Sequence, residues 1–127
     1  MKLHISKPSG VNVFSGYGEG FVMVGERRIS HSVIVLPERI VEDWDATRFE
    51  ALTASHLEAL ADLDCEVVLL GTGSRLRFPP PGVLRQANAR LAAAGAGLEI
   101  MDVQAACRTY NILVAEERKV AAALLLG

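Results

Sequence analysis

Hydrophobic and polar residues alternate differently in the two parts of this chain, and the change comes near residue 45. Before it, short apolar stretches are separated by glycine-rich turns, a pattern typical of antiparallel strands. Strands are predicted at residues 11–14, 21–24 and 32–36. Both faces of the second stretch are apolar, so we expect it to be covered on both sides.

A helix is predicted to follow, because apolar residues then recur three and four positions apart. It should begin at Asp45 or Thr47, since either side chain can accept a hydrogen bond from a free amide of the first turn. Its buried face would carry five residues at helical spacing: Phe49, Leu52, His56, Leu60 and Leu63.

The remaining sequence alternates between apolar runs and helical patterns. Strands are predicted at residues 66–70, 98–101 and 119–126, and the last is apolar throughout, which is typical of a central strand. Between them, the pattern predicts one helix at residues 83–94 and another that runs to about residue 116.

Specific residues are expected to set the ends of these helices. The proline-rich residues 78–82 should not be helical, and Gly95 and Gly97 should end the helix that follows them. Asp102 is expected to cap the last helix.

The order α-β-α-β-α-β predicts parallel strands joined by helical crossovers. The N-terminal strands would add antiparallel pairs to the same sheet. The predicted fold class is therefore α/β: a single domain over residues 1–127, with a mixed β-sheet, a C-terminal part of βαβ type and helices packed on the sheet.

Composition narrows the function classes. Half of the 127 residues are hydrophobic and 22% are charged, so a well-filled core is expected. The 13 Lys and Arg residues against 15 Asp and Glu leave a net charge of −2, which argues against a nucleic-acid partner. No secretory signal or membrane span is predicted, and two cysteines without a disulfide framework favour a cytoplasmic location.

Residues with catalytic or metal-binding chemistry are sparse. The three histidines do not cluster, and no His-x3-His or Cys-x2-Cys pair occurs, so no metal and no cofactor are expected. His56 is interpreted as a hydrogen-bonded core or flank residue. Cys107 lies next to Arg108, a setting that favours a reactive thiolate, but its helical spacing favours a small core residue instead. These residues do not favour an enzyme.

The first candidate binding element is the loop formed by Gly71, Thr72, Gly73 and Ser74, which follows a buried strand. Backbone amides in such a place can cradle an anion, although a tight turn without a ligand has the same composition. The loop lacks the glycine spacing of a dinucleotide-binding motif.

The second candidate is a polar stripe on the last helix that includes Arg108 and Asn111. Such side chains suit a bound anion or peptide, and they equally suit a buried structural network. If strands 66–70 and 98–101 lie side by side, the glycine loop and this helix start at the same edge of the sheet. We therefore predict that Arg108 and Asn111 border the same pocket as Thr72 and Ser74.

Two long stretches carry a family resemblance: residues 99–113 (EIMDVQAACRTYNIL) and residues 117–124 (ERKVAAAL). Together with Tyr17-Gly18, residues 32–37, Trp44 and residues 70–73, they resemble a family of small domains of unknown function. This family includes the mitochondrial NADH dehydrogenase (complex I) assembly factor 3, and its members occur in bacteria, archaea and mitochondria. Val103 stands where the family usually has threonine, which argues against a catalytic role for that position.

The resemblance implies a fold and a protein partner, and it brings no catalytic residues with it. It implies a non-catalytic binding or assembly factor for a respiratory or membrane-associated complex. The alternative is a small anion- or nucleotide-binding enzyme that uses the crevice near residues 71–74 and Arg108.

Overall fold

Two separate sheets are present in the computed structural model, which describes residues 10–127. The first is antiparallel and has the order β1-β2-β3, with β1 at Phe14–Gly18, β2 at Phe21–Val24 and β3 at Arg27–Ile29. The second has the order β5-β4-β8-β6-β7. Its strands are β4 at Val33–Val35, β5 at Ile40–Val41, β6 at Val67–Gly71, β7 at Gly97–Met101 and β8 at Val120–Leu124.

The five-stranded sheet is mixed, which confirms the predicted fold class. β6 pairs in parallel with β7 on one side and β8 on the other, so that Leu69 lies opposite both Glu99 and Ala122. β4 pairs with β8 in the antiparallel direction and carries β5 at the edge. β8 is the middle strand and all five of its residues are buried, as its apolar run predicted.

The N-terminal strands differ from prediction in several respects. The first two form a separate sheet with β3, whereas the strand predicted at residues 32–36 joins the larger sheet as β4, antiparallel to β8, as expected. β1 begins at Phe14 and runs through Gly18, so Gly16 and Gly18, which were expected in a turn, belong to the strand, and Gly20 lies in the turn that follows. β2 is covered on one side only: Val22 and Val24 are buried, whereas Phe21 and Met23 are partly exposed. A three-stranded sheet packed by one face leaves the other face to solvent.

The first predicted helix is broken into three short segments. A 3-10 turn at Phe49–Ala51 precedes α1 at Ala54–Glu58, and a second 3-10 turn follows at Ala59–Leu63. The cap of α1 is Thr53, and the predicted caps Asp45 and Thr47 were wrong.

A reciprocal pair of hydrogen bonds places this cap. The Thr53 hydroxyl accepts from the His56 amide at 3.4 Å, and the His56 Nδ1 accepts from the Thr53 amide at 3.0 Å. His56 takes the place that Glu or Gln usually has in a capping box. Its Nε2 lies 3.3 Å from Asp45 Oδ1, so His56 is the hydrogen-bonded flank residue that the sequence predicted.

The two long helices agree better with the sequence. α2 spans Pro81–Ala93 and α3 spans Val103–Ala115. Pro81 and Gly82 were expected outside the helix, but proline is accepted at the first helical position because that amide needs no partner. Asp102 caps α3 as predicted, since its carboxylate accepts from the Ala105 amide at 2.8 Å.

The five-stranded sheet separates two hydrophobic cores. Leu69 and Ala122 face α3 and the three-stranded sheet, whereas Leu70 and Ala123 face α1 and α2. Successive strand residues point to opposite faces, so each buried strand serves both cores. No helix within residues 10–127 is long and apolar enough to cross a membrane.

Candidate functional site

A crevice of about 410 Å³ opens where the three parallel strands end. β6 ends at Gly71, β7 at Met101 and β8 at Leu124, all at the same edge of the sheet. This is the edge at which ligands bind in open α/β sheets. The wall comes from the segments after these strands and from the β1–β2 turn: Gly18, Glu19, Gly20, Gly73, Ser74, Arg77, Val103, Gln104, Leu125, Leu126 and Gly127.

The glycine loop is fixed by its own hydrogen bonds. The fully buried Thr72 hydroxyl donates to the Arg75 carbonyl at 2.8 Å and accepts from the Arg77 amide at 3.0 Å. The Gly73 carbonyl accepts from the Val103 amide at 2.9 Å, which ties the loop to the start of α3. Thr72 therefore shapes the loop from inside and does not line the crevice.

Gly71 has a packing role. A Cβ atom at this position would lie 3.2 Å from the Cα of Val103 and 2.8 Å from a methyl group of Leu124. The backbone of α3 cannot move away without breaking the Val103–Gly73 hydrogen bond. Glycine at this position lets the helix start directly against the end of β6.

Arg77 is a crevice residue that the sequence interpretation missed. Its guanidinium donates to Glu50 Oε2 at 2.7 Å and to the Thr72 carbonyl at 3.1 Å, and it lies 4.3 Å from the ring centre of Phe49. The Nε atom is buried and makes no hydrogen bond among the described residues. A hydrogen bond from its own backbone amide, and then Arg77, lower the pKa of Glu50. The feature of the sequence that could have indicated a basic crevice residue is the pair Arg75 and Arg77 directly after the glycine loop.

Arg108 lies on α3, which covers one face of the five-stranded sheet, but it is not among the residues that line the crevice. One guanidinium nitrogen donates to the Tyr17 hydroxyl at 2.9 Å, which joins α3 to β1. Arg108 as a whole is an exposed residue. Tyr17 is followed by Gly18, a lining residue, so Arg108 stands beside the rim.

Asn111 binds the backbone of β1. Its Oδ1 accepts from the Phe14 amide at 2.9 Å and its Nδ2 donates to the Phe14 carbonyl at 2.8 Å. The side-chain amide thus imitates a neighbouring strand. Of the predicted residues, the structure brings Gly73 and Ser74 together with Gln104 and Arg77; it does not bring Arg108 or Asn111 into that lining.

The nucleophilic groups of α3 are buried and protonated. Burial raises the pKa of the Cys107 thiol to about 12, and the nearby Arg108 only partly opposes this shift. Burial also raises the pKa of Tyr110, whose hydroxyl donates to the Asn12 carbonyl at 2.9 Å. A thiol in this state is a poor nucleophile at neutral pH. Within residues 10–127, no cluster of three or more His, Cys, Asp or Glu side chains has the geometry of a metal site.

The crevice offers groups for binding a polar ligand. The Ser74 hydroxyl, the Gln104 amide and the Arg77 guanidinium are donors, while Glu19 adds an acidic group at the β1–β2 turn. Leu125 and Leu126 contribute apolar surface. This composition suits the recognition of an extended chain or an anion and contains no activated nucleophile.

Several known proteins are similar to this chain over nearly its whole length. A protein called "13 kDa major membrane protein" from Francisella tularensis is 28% identical over 98% of this chain and 99% of its own length. A bovine protein named NADH dehydrogenase (ubiquinone) 1 alpha subcomplex assembly factor 3 is 30% identical over 97% of this chain. The chain spans 65% of the length of that relative.

A solved structure has a similar fold. The crystal structure of a protein from Bordetella parapertussis is 43% identical, covers 93% of this chain and 98% of its own, and superimposes with a TM-score of 0.80. Residues 14–125 match the profile of a family described as protein of unknown function (DUF498/DUF598). The chain belongs to this family.

Proposed function

We propose that this chain is a non-catalytic binding protein that acts as an assembly factor for a respiratory or membrane-associated complex. The observation that carries the proposal is the similarity to the bovine assembly factor, which extends over 97% of this chain. The name of the Francisella relative is consistent with action near a membrane.

The site chemistry supports binding and not bond-making. Cys107 is fully buried and its pKa is raised to about 12, so the most nucleophilic group of α3 stays protonated. The polar groups at the crevice are donors and acceptors on rigid elements, which is what recognition of a partner segment requires. We place the partner at the crevice mouth, between Ser74 and Gln104, with Arg108 at its rim.

Affinity capture at native expression level tests this function. The full chain should retain subunits of a respiratory or membrane complex, and Arg108→Ala should lose them while its free energy of unfolding changes by less than about 1 kcal/mol. Arg39→Ala is the matched control, because Arg39 is an exposed arginine directly before β5 and does not line the crevice. Retention of no such subunits would refute the assembly role. An Arg108→Ala protein that unfolds outright would make the arginine a structural tie to Tyr17.

A second function, binding of a small anion or nucleotide, is favoured by one specific observation. Ser74, Gln104 and the partly paired Arg77 guanidinium line the same crevice. Titration with inorganic phosphate, followed by amide NMR shifts, tests it directly. Saturable shifts confined to residues 73–77 and 103–105 would support this function, and the absence of shifts would exclude phosphate as the ligand.

A further inference from the structure

The loop between β6 and α2 exposes two large apolar side chains close together. Leu76 is 49% exposed and Phe78 is 63% exposed. A single exposed apolar residue is ordinary in soluble proteins, and Ile112, 60% exposed on α3, is an example. Two of them within three residues on one loop place exposed apolar surface at one point of the chain, and such surface is a candidate for an interaction site.

This loop presents its apolar residues rigidly. The Thr72 hydroxyl bonds both the Arg75 carbonyl and the Arg77 amide, and Arg77 bonds back to the Thr72 carbonyl. Pro79, Pro80 and Pro81 follow, and Pro79 is buried. A loop fixed in this way loses little conformational freedom when it binds a surface.

Charge is distributed unevenly around the same loop. Residues 67–98 contain four arginines and no Asp or Glu, so this segment carries +4. The other residues contain 9 Lys and Arg against 15 Asp and Glu, which gives −6 and accounts for the total of −2. Arg77 and Arg90 pair with Glu50 and Asp62.

The other two arginines of the segment remain available to a partner. Arg75 and Arg85 are exposed and have no salt bridge within the described part of the chain. Both flank the exposed apolar residues in sequence. The occupant of this surface should therefore be anionic as well as apolar.

A lipid surface fits these features better than a protein does. A stable protein interface buries roughly 1,200 Å² or more, far beyond two side chains, whereas a bilayer interface holds a protein through a few inserted apolar groups and nearby basic residues. Residues 79–81 also lack three backbone N–H groups, and the Pro80 carbonyl is already bonded by the Leu84 amide at 3.1 Å. This reduces the number of polar groups that would lose their water in an apolar medium.

We propose that residues 74–80 form a docking loop for an anionic phospholipid bilayer. Leu76 and Phe78 enter the headgroup region, and Arg75 and Arg85 lie over lipid phosphates. The inference goes beyond the proposed assembly role and does not rest on it, because it requires no protein partner.

Vesicle flotation of the full chain tests the proposal. The protein should float with vesicles of phosphatidylcholine containing about one third phosphatidylglycerol, should bind pure phosphatidylcholine more weakly, and should be released as salt rises. Combined Leu76→Ser and Phe78→Ser changes should reduce partitioning by at least about ten-fold. Arg75→Gln should reduce it by about five-fold. Ile112→Ser, which changes an equally exposed apolar residue on α3, should leave partitioning unchanged.

Fluorescence locates the contact independently. Emission of a Phe78→Trp protein should shift to the blue with the anionic vesicles, whereas an Ile112→Trp protein should not respond. All the changed positions are exposed, so the variants should unfold like the parent in denaturant. The proposal is overturned if the chain binds neither vesicle, if the Leu76 and Phe78 changes have no effect, or if Ile112→Ser causes the same loss. Affinity capture of protein partners uses no vesicles, so a negative result for lipid binding does not contradict the assembly role. A negative result for partner capture likewise does not contradict lipid binding.

Discussion

Removal of the Asn111 side-chain amide should destabilise the fold, because this amide holds the outer edge of β1. Asn111→Ala deletes an acceptor 2.9 Å from the Phe14 amide and a donor 2.8 Å from the Phe14 carbonyl. Phe14 is fully buried, so water cannot easily replace either hydrogen bond. The Phe14 ring also packs edge-on against Tyr110, with ring centres 5.0 Å apart.

The expected magnitude follows from the two groups left without partners. A buried donor or acceptor that loses its hydrogen bond costs about 1–3 kcal/mol. Two such groups give about 2–6 kcal/mol, and the better helix propensity of alanine returns about 0.5 kcal/mol. We expect a loss of about 2–5 kcal/mol in the free energy of unfolding.

Urea denaturation provides the measurement, with the midpoint shifted and the slope unchanged. Asn88→Ala is the matched control: Asn88 is exposed on α2, and the same change should there be neutral or slightly stabilising. If Asn111→Ala behaves like Asn88→Ala, the bonds to Phe14 do not stabilise the protein. Loss of partner binding without loss of stability would return Asn111 to the binding role predicted from the sequence.

Three further predictions follow from burial and backbone geometry. Leu69→Ala should cost about 2–5 kcal/mol in denaturation, because Leu69 is fully buried in the middle of β6; a loss below about 1 kcal/mol would contradict that position. Glu117→Gly should raise the free energy of unfolding by about 0.5–1 kcal/mol, since Glu117 has a left-handed φ of 59° after α3, whereas Glu116→Gly, at φ −87°, should not. Burial raises the pKa of Cys107 from 9 to about 12 in the folded protein, so the thiol of the unfolded protein loses its proton first. The free energy of unfolding measured in urea should therefore be constant below pH 9 and should fall as the pH rises towards 12. In Cys107→Ala, which has no thiol at this position, the fall should be less steep.

The C-terminal half of the fold was predictable because its signals are local. Apolar runs placed β6, β7 and β8, the Asp102 cap placed the start of α3, and an absence of polar residues placed β8 in the middle of the sheet. Each of these features depends on residues within one turn or one strand, so spacing alone contains the information.

Other elements depended on contacts that spacing does not contain. The strands β3 and β5 are only three and two residues long, and they exist because a neighbouring strand pairs with them. The region of α1 has a helical apolar period, but the His56–Thr53 pair starts the helix late and Asp64, with a left-handed φ of 55°, ends the segment.

The candidate site, like the fold, was predictable from the sequence only in part. The sequence by itself predicted that the glycine loop and the start of α3 meet at one edge of the sheet if strands 66–70 and 98–101 lie side by side, because parallel strands with helical crossovers place their carboxyl ends together. Only the tertiary structure decided that Asn111 and Arg108 turn to β1, through hydrogen bonds to Phe14 and Tyr17 that span 97 and 91 residues. It also decided that Arg77 enters the crevice, since the buried Thr72 hydroxyl folds the loop back on itself. Such long-range bonds form only after packing has brought the segments together, and no local periodicity records them.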